Sequence, residues 1–408
     1  MICVLIFVGI AVATTVVLSQ DASARALSPD EREYLALAER GLSSFNRPWG
    51  YPAILSVFAH RQVAGISTVI WLQTAFNLLR AAAIYRILRD QFAAAWLMAV
   101  LCAGLGLLSF TSLSLTQRFL ADNIIGCVSP WIWYLWIRSQ EHARTVDAVF
   151  AGLLACGAFL LKPIVILWLP VFLCTLIIHR AGQRQTLPRI AMAGTPLILV
   201  NFSQSYGNLQ NYGVFTASGI SVETMARYLI PAVICCTTSP MKWNEDCIQA
   251  QRTVIDQAGT GLSVSELHTQ RKQTIEREIR QHPTAVIAAT FHIAYRNLPR
   301  PFYLHEMTLV QSDAPPMLVT LGKVATLTLW LLSLAGMVRS LRNRPFRAPA
   351  LTLLLFAGIF YGATLISFWE GARLAFPMEW TLFVSCGALF SPHRPNVAPT
   401  DAASTSSI

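Results

Sequence analysis

Charge is what this chain has least of. Only 13% of its 408 residues are Asp, Glu, Lys or Arg, against about 25% in an average soluble chain. Acidic residues are the scarcer sign, 21 against 31 basic ones, for a formal net charge of +10. No polar basic domain gathers that excess, which excludes a nucleic-acid binder. There is no glycine-rich phosphate loop and no His/Cys spacing of a metal site. No cofactor is therefore expected with certainty, and a divalent metal is left open. Internal repeats and low-complexity runs are also lacking.

Long apolar runs are abundant. Hydrophobic residues make up 54% of the chain, and the mean hydropathy is +0.50. A helix crosses about 30 Å of hydrocarbon with roughly 20 apolar residues. Ten runs qualify or come close: 2–19, 66–86, 92–112, 119–137, 147–161, 163–179, 190–203, 318–338, 349–368 and 374–391. The expected fold class is all-α, a polytopic membrane protein of about ten transmembrane helices with amphipathic helices outside. The first run lacks a basic start and a clear small-x-small cleavage site, so it reads as an anchor.

Arginines in the short loops set the orientation. Arg86, Arg89, Arg138, Arg144, Arg180, Arg184, Arg189, Arg339, Arg342, Arg344 and Arg347 fall on one side. By the positive-inside rule that side is cytoplasmic, giving N-in and C-in. The basic loops then face anionic lipid. Residues 1–203 form an N-terminal membrane module with a first outer loop at 20–65. Residues 204–317 form an outer region, 318–391 the last spans, and 392–408 a disordered tail. Arg227 to Cys236 is too short to cross. Thr284 to Leu298 is expected to lie on the membrane surface, after a polar helix opening at the capping box Ser263-x-x-Glu266.

Six of nine cysteines lie in or beside spans. The other three, Cys235, Cys236 and Cys247, lie outside, where Cys247 could bridge to either neighbour.

The remaining charges converge on the outer surface. Ser28-Pro29-Asp30-Glu31 reads as a capped helix start, ending about 12 residues on at Gly41. Helix-dipole complementation explains Glu31 but leaves Asp30, Tyr34 and the rigid stretch Arg47-Pro-Trp-Gly-Tyr51-Pro52 unexplained. Asp122 sits one turn inside the outer end of the fourth span, where a carboxylate is costly and marks a site by default. Its plainer reading is an ion pair with Arg118, four residues before. Lys162-Pro163 and the pair Glu370 and Arg373 occupy the other outer turns. Their plainer readings are a snorkelling lysine and a surface pair.

These motifs together resemble the GT-C glycosyltransferases, the group holding protein O-mannosyltransferases and the aminoarabinose transferase of lipid A. Asp30-Glu31-x-x-Tyr34 is similar to the first-loop Asp-Glu motif. Arg47-Pro48-x-Gly50-Tyr51-Pro52 resembles an Arg-Pro-Pro-Gly-Tyr-Pro stretch with Trp49 in place of the second proline. Asp122 matches the second acidic position, and Lys162-Pro163 a basic residue before proline. Asn211-Tyr-Gly213 with Ser218-Gly219 resembles the segment after the seventh span. Glu370-Gly-Ala-Arg373-x-x-x-Pro377 resembles the last-loop motif without its tyrosine.

The resemblance implies a polyprenyl-phosphate sugar donor, an outer-face acceptor (lipid, glycan or protein) and an integral protein of a bacterial inner membrane. It implies Asp30 as catalytic base and Asp122 as a second catalytic carboxylate. Arg373, Lys162 and Arg47 would bind the donor phosphate, and Glu31, Tyr34, Tyr51 and Glu370 would line the substrate site. The alternative is a multi-spanning transporter or flippase, which would place charges along a path between both surfaces.

Overall fold

The computed structural model describes residues 2–21, 27–41, 44–58, 63–178, 183–238, 243–302, 316–366 and 372–392. The described residues are helices and turns. The membrane-type helices are α1 (Ile2–Asp21), α4 (Val63–Asp90), α5 (Trp96–Leu107), α6 (Phe110–Thr116), α7 (Ala121–Glu141), α8 (Thr145–Leu161), α9 (Trp168–Ile178), α10 (Gln183–Tyr212), α16 (Pro316–Arg342), α17 (Arg344–Thr364) and α18 (Ala372–Ala388). The first loop holds α2 (Pro29–Arg40) and α3 (Gly50–Phe58). The segment expected to form the outer region holds α11 (Ile220–Thr224), α12 (Ile230–Thr238), α13 (Glu245–Ala258), α14 (Val264–Gln281) and α15 (Pro283–Arg296).

Short connections such as 91–95 and 142–144 make sequential helices neighbours. The bundle core is aromatic. Trp168 stacks on Phe356 with ring centroids 4.8 Å apart, and Trp133 meets Trp380 edge-on at 6.0 Å. These rings bring α7, α9, α17 and α18 together, each burying far more apolar surface than an aliphatic side chain would. Small hydroxyl residues let backbones approach: Ser333 of α16 donates to the carbonyl of Leu382 in α18 at 2.7 Å. The N-terminal helix is packed into this bundle through Thr15, whose hydroxyl lies 3.0 Å from that of Thr74.

By length and hydropathy alone, three described helices could cross a membrane: Ile220–Thr237, Pro316–Arg342 and Arg344–Thr364. The first of these contains Arg227–Cys236, the stretch expected to be too short to cross. A π turn at Met225–Leu229 joins α11 to α12, so the helical run is longer than its apolar stretch suggested. It is packed against the polar helices α13 and α14, and Arg227 pairs with Asp256 at 2.9 Å.

The run 92–112 is not one straight helix: α5 and α6 meet at a 48° bend. The run 190–203 is the middle of a longer helix: its apolar residues stop near 203, but α10 continues to Tyr212 through Asn208, Gln210 and Asn211. Polarity ended the predicted span without ending the helix. Of the outer helices, α15 buries Ala285, Ala289 and Ile293 while exposing Ile287, Phe291 and Tyr295. Cys235 is disulfide-bonded to Cys247, leaving Cys236 as a buried thiol. Residues 393–408, the expected tail, lie outside the described residues.

Candidate active site

Helix α2 begins as its sequence dictates. The Ser28 hydroxyl accepts the Glu31 N–H at 3.4 Å, and Glu31 Oε2 accepts the Ser28 N–H at 2.9 Å. The other oxygen, Glu31 Oε1, accepts the N–H of Phe119 at 2.9 Å. Glu31 is fully buried and has both oxygens on backbone. This bond ties the first loop to the turn before α7. Gly41 ends the helix, its N–H donating to the carbonyl of Leu37.

Asp30, freed from capping, faces the next segment. Residues Ser44–Arg47 form a turn in which Arg47 N–H donates to the Ser44 hydroxyl at 3.2 Å. The turn aims Arg47 back at α2. Its Nη2 lies 2.6 Å from Asp30 Oδ1 and its Nε 3.1 Å from Glu33 Oε2. The guanidinium also sits 5.0 Å from the centre of the Tyr34 ring. Burial works against the Arg47 charge, but Tyr34, Asp30 and Glu33 together outweigh it and hold the group above its ordinary range. Asp30 remains the reachable member, with 23% of its side chain exposed against 9% for Arg47.

The second pair comes from the bundle. Asp122 lies in the first turn of α7, and Lys162 is the extended residue that ends α8 before Pro163. Lys162 Nζ is 2.6 Å from Asp122 Oδ1. Leu120 is extended and α7 starts only at Ala121, so Arg118 and Asp122 do not share a helix. Gly50 brings the two pairs together: a Cβ there would lie 2.6 Å from the carbonyl oxygen of Leu160, so only glycine lets α3 approach the end of α8 this closely.

Tyr34 lies between the pairs. Burial raises its pKa, Arg47 and Lys162 lower it, and Asp122 and Asp30 raise it. Tyr34 and Tyr51 meet edge-on at 5.0 Å, both buried. The Tyr51 hydroxyl accepts from Gln73 Nε2 at 3.2 Å, and Gln73 Oε1 accepts from Asn123 at 2.8 Å. Tyr34 thus links Arg47 on one side to Tyr51 on the other.

The outer region clamps this loop from above. Gly219 N–H donates to the Phe45 carbonyl at 3.0 Å, and the Ser218 hydroxyl to the Asn46 carbonyl at 2.7 Å. The Asn46 amide also bonds Glu223. The Phe45 ring meets Tyr212 and His268, each edge-on at 5.4 Å. A Cβ on Gly219 would lie 2.1 Å from the Phe45 ring. Of the remaining expected residues, Glu370 lies outside the described residues, and Arg373 is described only as a helical backbone position of α18. Among the described residues no group of three or more His, Cys, Asp or Glu side chains is arranged to hold a metal.

Sequence reasoning passed over Glu33, Gln73 and a second buried pair, Arg80 with Glu379, 3.0 Å apart. The last was visible in principle, since both residues interrupt apolar runs.

Residues 46–206, which include Arg47, Asp122 and Lys162, match the model of a family described as dolichyl-phosphate-mannose-protein mannosyltransferase. An oligosaccharyltransferase from Archaeoglobus fulgidus, solved tethered to an acceptor peptide containing the NVT sequon, is similar in structure. The TM-score is 0.50 at 14% identity, over 95% of this chain and 49% of that one. The fold is of the GT-C type. A second structure, AglB of the same organism in complex with an inhibitory peptide and a dolichol-phosphate, matches with TM-score 0.48 at 11% identity, over 93% of this chain and 50% of that one. The chain thus spans about half the length of these GT-C structures. No curated protein matches it. The family match and the fold agree with the resemblance to GT-C enzymes that the motifs carry.

Proposed function

We propose that the chain is a membrane glycosyltransferase that moves a sugar from a polyprenyl-phosphate donor to an acceptor on the outer face. The observation that carries this is the gathering of Asp30–Arg47 and Asp122–Lys162 around Tyr34 at one end of the bundle. The acceptor hydroxyl attacks the anomeric carbon, the bond from that carbon to the phosphate oxygen breaks, and polyprenyl phosphate leaves. Attack opposite the phosphate inverts the anomeric centre. A hydroxyl is a weak nucleophile and needs a base within hydrogen-bond reach. Asp30, partly exposed beside Arg47, is the carboxylate that takes the proton in this reading. Arg47 and Lys162 are the cations suited to the charge growing on the phosphate, with Arg373 a further candidate from the sequence. Asp122 holds Lys162.

The orientation belongs to the same reading. A disulfide at Cys235–Cys247 fits an outer region in an oxidising compartment, in agreement with the loop arginines and an inner-membrane location. The exposed Ile287, Phe291 and Tyr295 stripe of α15 fits a helix resting on lipid. A transporter is the second reading. Arg80 and Glu379 inside the bundle are the one observation in its favour, but both side chains are sealed at 1% exposure, which does not suit a path.

The test is transfer from a polyprenyl-phosphate sugar by purified protein. Asp30→Asn keeps the helix cap, which depends on Ser28 and Glu31. Normal membrane insertion with activity lower by about 10²-fold or more is expected. Turnover near that of wild type would remove Asp30 as the base.

A further inference from the structure

Apart from Glu31, the most deeply buried charges among the described residues are Arg80 in α4 and Glu379 in α18, each side chain 1% exposed. Neither enters the chemistry above. Ionisable groups inside a bundle are rare and mark function by default. A buried ion pair is also a poor device for stability alone, because apolar side chains of similar volume hold helices as well.

What the pair touches is informative. Beyond their contact of 3.0 Å, Arg80 Nη1 donates to the carbonyl of Gly106 at 3.4 Å. Glu379 Oε1 accepts from the hydroxyl of Ser109 at 2.8 Å. Gly106 lies in the last turn of α5, whose carbonyls have no partner within the helix. Ser109 caps α6, its hydroxyl accepting the Ser112 N–H at 3.2 Å. The pair therefore holds both sides of the 48° break between α5 and α6.

The same segment leads into the site. The Ser112 hydroxyl donates to Asn77 at 2.9 Å, and Asn77 donates to Thr116 at 2.6 Å. Next, Arg118 offers its carbonyl to Gln73 at 2.9 Å, and Phe119 donates to Glu31. Gln73, Asn77 and Arg80 lie at i, i+4 and i+7 on α4, so one helix face supports the segment along its length.

We propose that Arg80 and Glu379 are positioning residues: they fix the broken segment so that the turn at 117–120 meets Glu31 and sets Asp30 relative to Asp122. The functional half of this statement rests on the glycosyl-transfer reading.

The test is hydrogen exchange by mass spectrometry on the full-length protein in lipid nanodiscs, beside transfer kinetics. In Arg80→Met/Glu379→Met, peptides covering 106–120 should exchange about tenfold faster while α7 and α8 keep their protection. Turnover should fall about tenfold or more with the donor KM unchanged. Arg80→Lys keeps the cation but cannot fork to both Glu379 and Gly106, and should fall between the two. The proposal is overturned if the double variant exchanges and turns over like wild type, or if α7 and α8 loosen equally. A wild-type protein that moves no sugar, while 106–120 still loosens selectively in the variant, would sink the transferase reading and leave the positioning of the segment standing.

Discussion

Lys162 and Asp122 matter first to each other. Both side chains are largely buried, 14% and 4% exposed, so removing one costs the other a short charged contact of 2.6 Å. Lys162→Met should cost about 3–5 kcal/mol, read as a lower unfolding midpoint in detergent. Adding Asp122→Asn should restore much of that stability but not sugar transfer. Recovery of both together would make the pair purely structural. For Arg373, lysine keeps the charge and loses the fork, while leucine loses both. The expected activity order is Arg, then Lys, then Leu, with donor use hurt more than acceptor use. Equal transfer by the leucine variant would move the phosphate site elsewhere. Asp30, Arg47, Asp122 and Lys162 were legible because scarce charges at span ends stand out. The second bond of Glu31 was not: Phe119 is 88 residues away, and nothing local announces a backbone N–H as its partner. Arg80 and Glu379 each interrupt an apolar run, but nothing local marks the other as its partner, 299 residues away.

At the scale of elements, the site depends on two close approaches. Gly50→Ala would push α3 from the end of α8, and Gly219→Ala would push the outer region from Phe45. Overpacking of this kind costs about 1–3 kcal/mol. Both variants should lose transfer activity out of proportion to their loss of stability, and Gly157→Ala, with open space around its Cβ, is the control. The clamp should also be acid-sensitive. Burial, then Lys272 and Arg271, hold the His268 pKa below its ordinary 6.5. A depressed value means that the unfolded state takes the proton first. The stability contributed by neutral His268 is thus intact above about 6.5 and is lost as pH falls through the lower folded value. Protease nicking of the outer region should rise on acidification, and His268→Gln should abolish that rise. The capping boxes at Ser28 and Ser263 were readable because each is a four-residue pattern. The π turn that fuses α11 to α12, and the break in α5–α6, follow from tertiary contacts and left no comparable local pattern.

For the whole molecule, the order of apolar runs was enough for the all-α membrane fold class, because a bilayer demands long helices. How the outer helices pack was beyond that reasoning. It is set by pairings such as Arg227 with Asp256 and by the choice of Cys235 over Cys236. Non-reducing peptide mapping should find Cys235 joined to Cys247 and Cys236 carrying the blocking reagent. Cys235→Ser should cost the outer region about 3 kcal/mol on the chain-entropy account, visible as earlier proteolysis with the spans intact.

The continuation of α10 to Tyr212 makes that helix a gauge as well as a span. A rigid helix climbs 1.5 Å per residue and turns about 100° with each one. The stretch from 203 to 212 therefore fixes both the height and the compass bearing of everything that follows it. One alanine added there would swing Ser218 and Gly219 away from Phe45. Seven would bring them back within about 20° of their starting direction, but about 10 Å higher. How high the clamp on Phe45 sits is then written in the length of one helix.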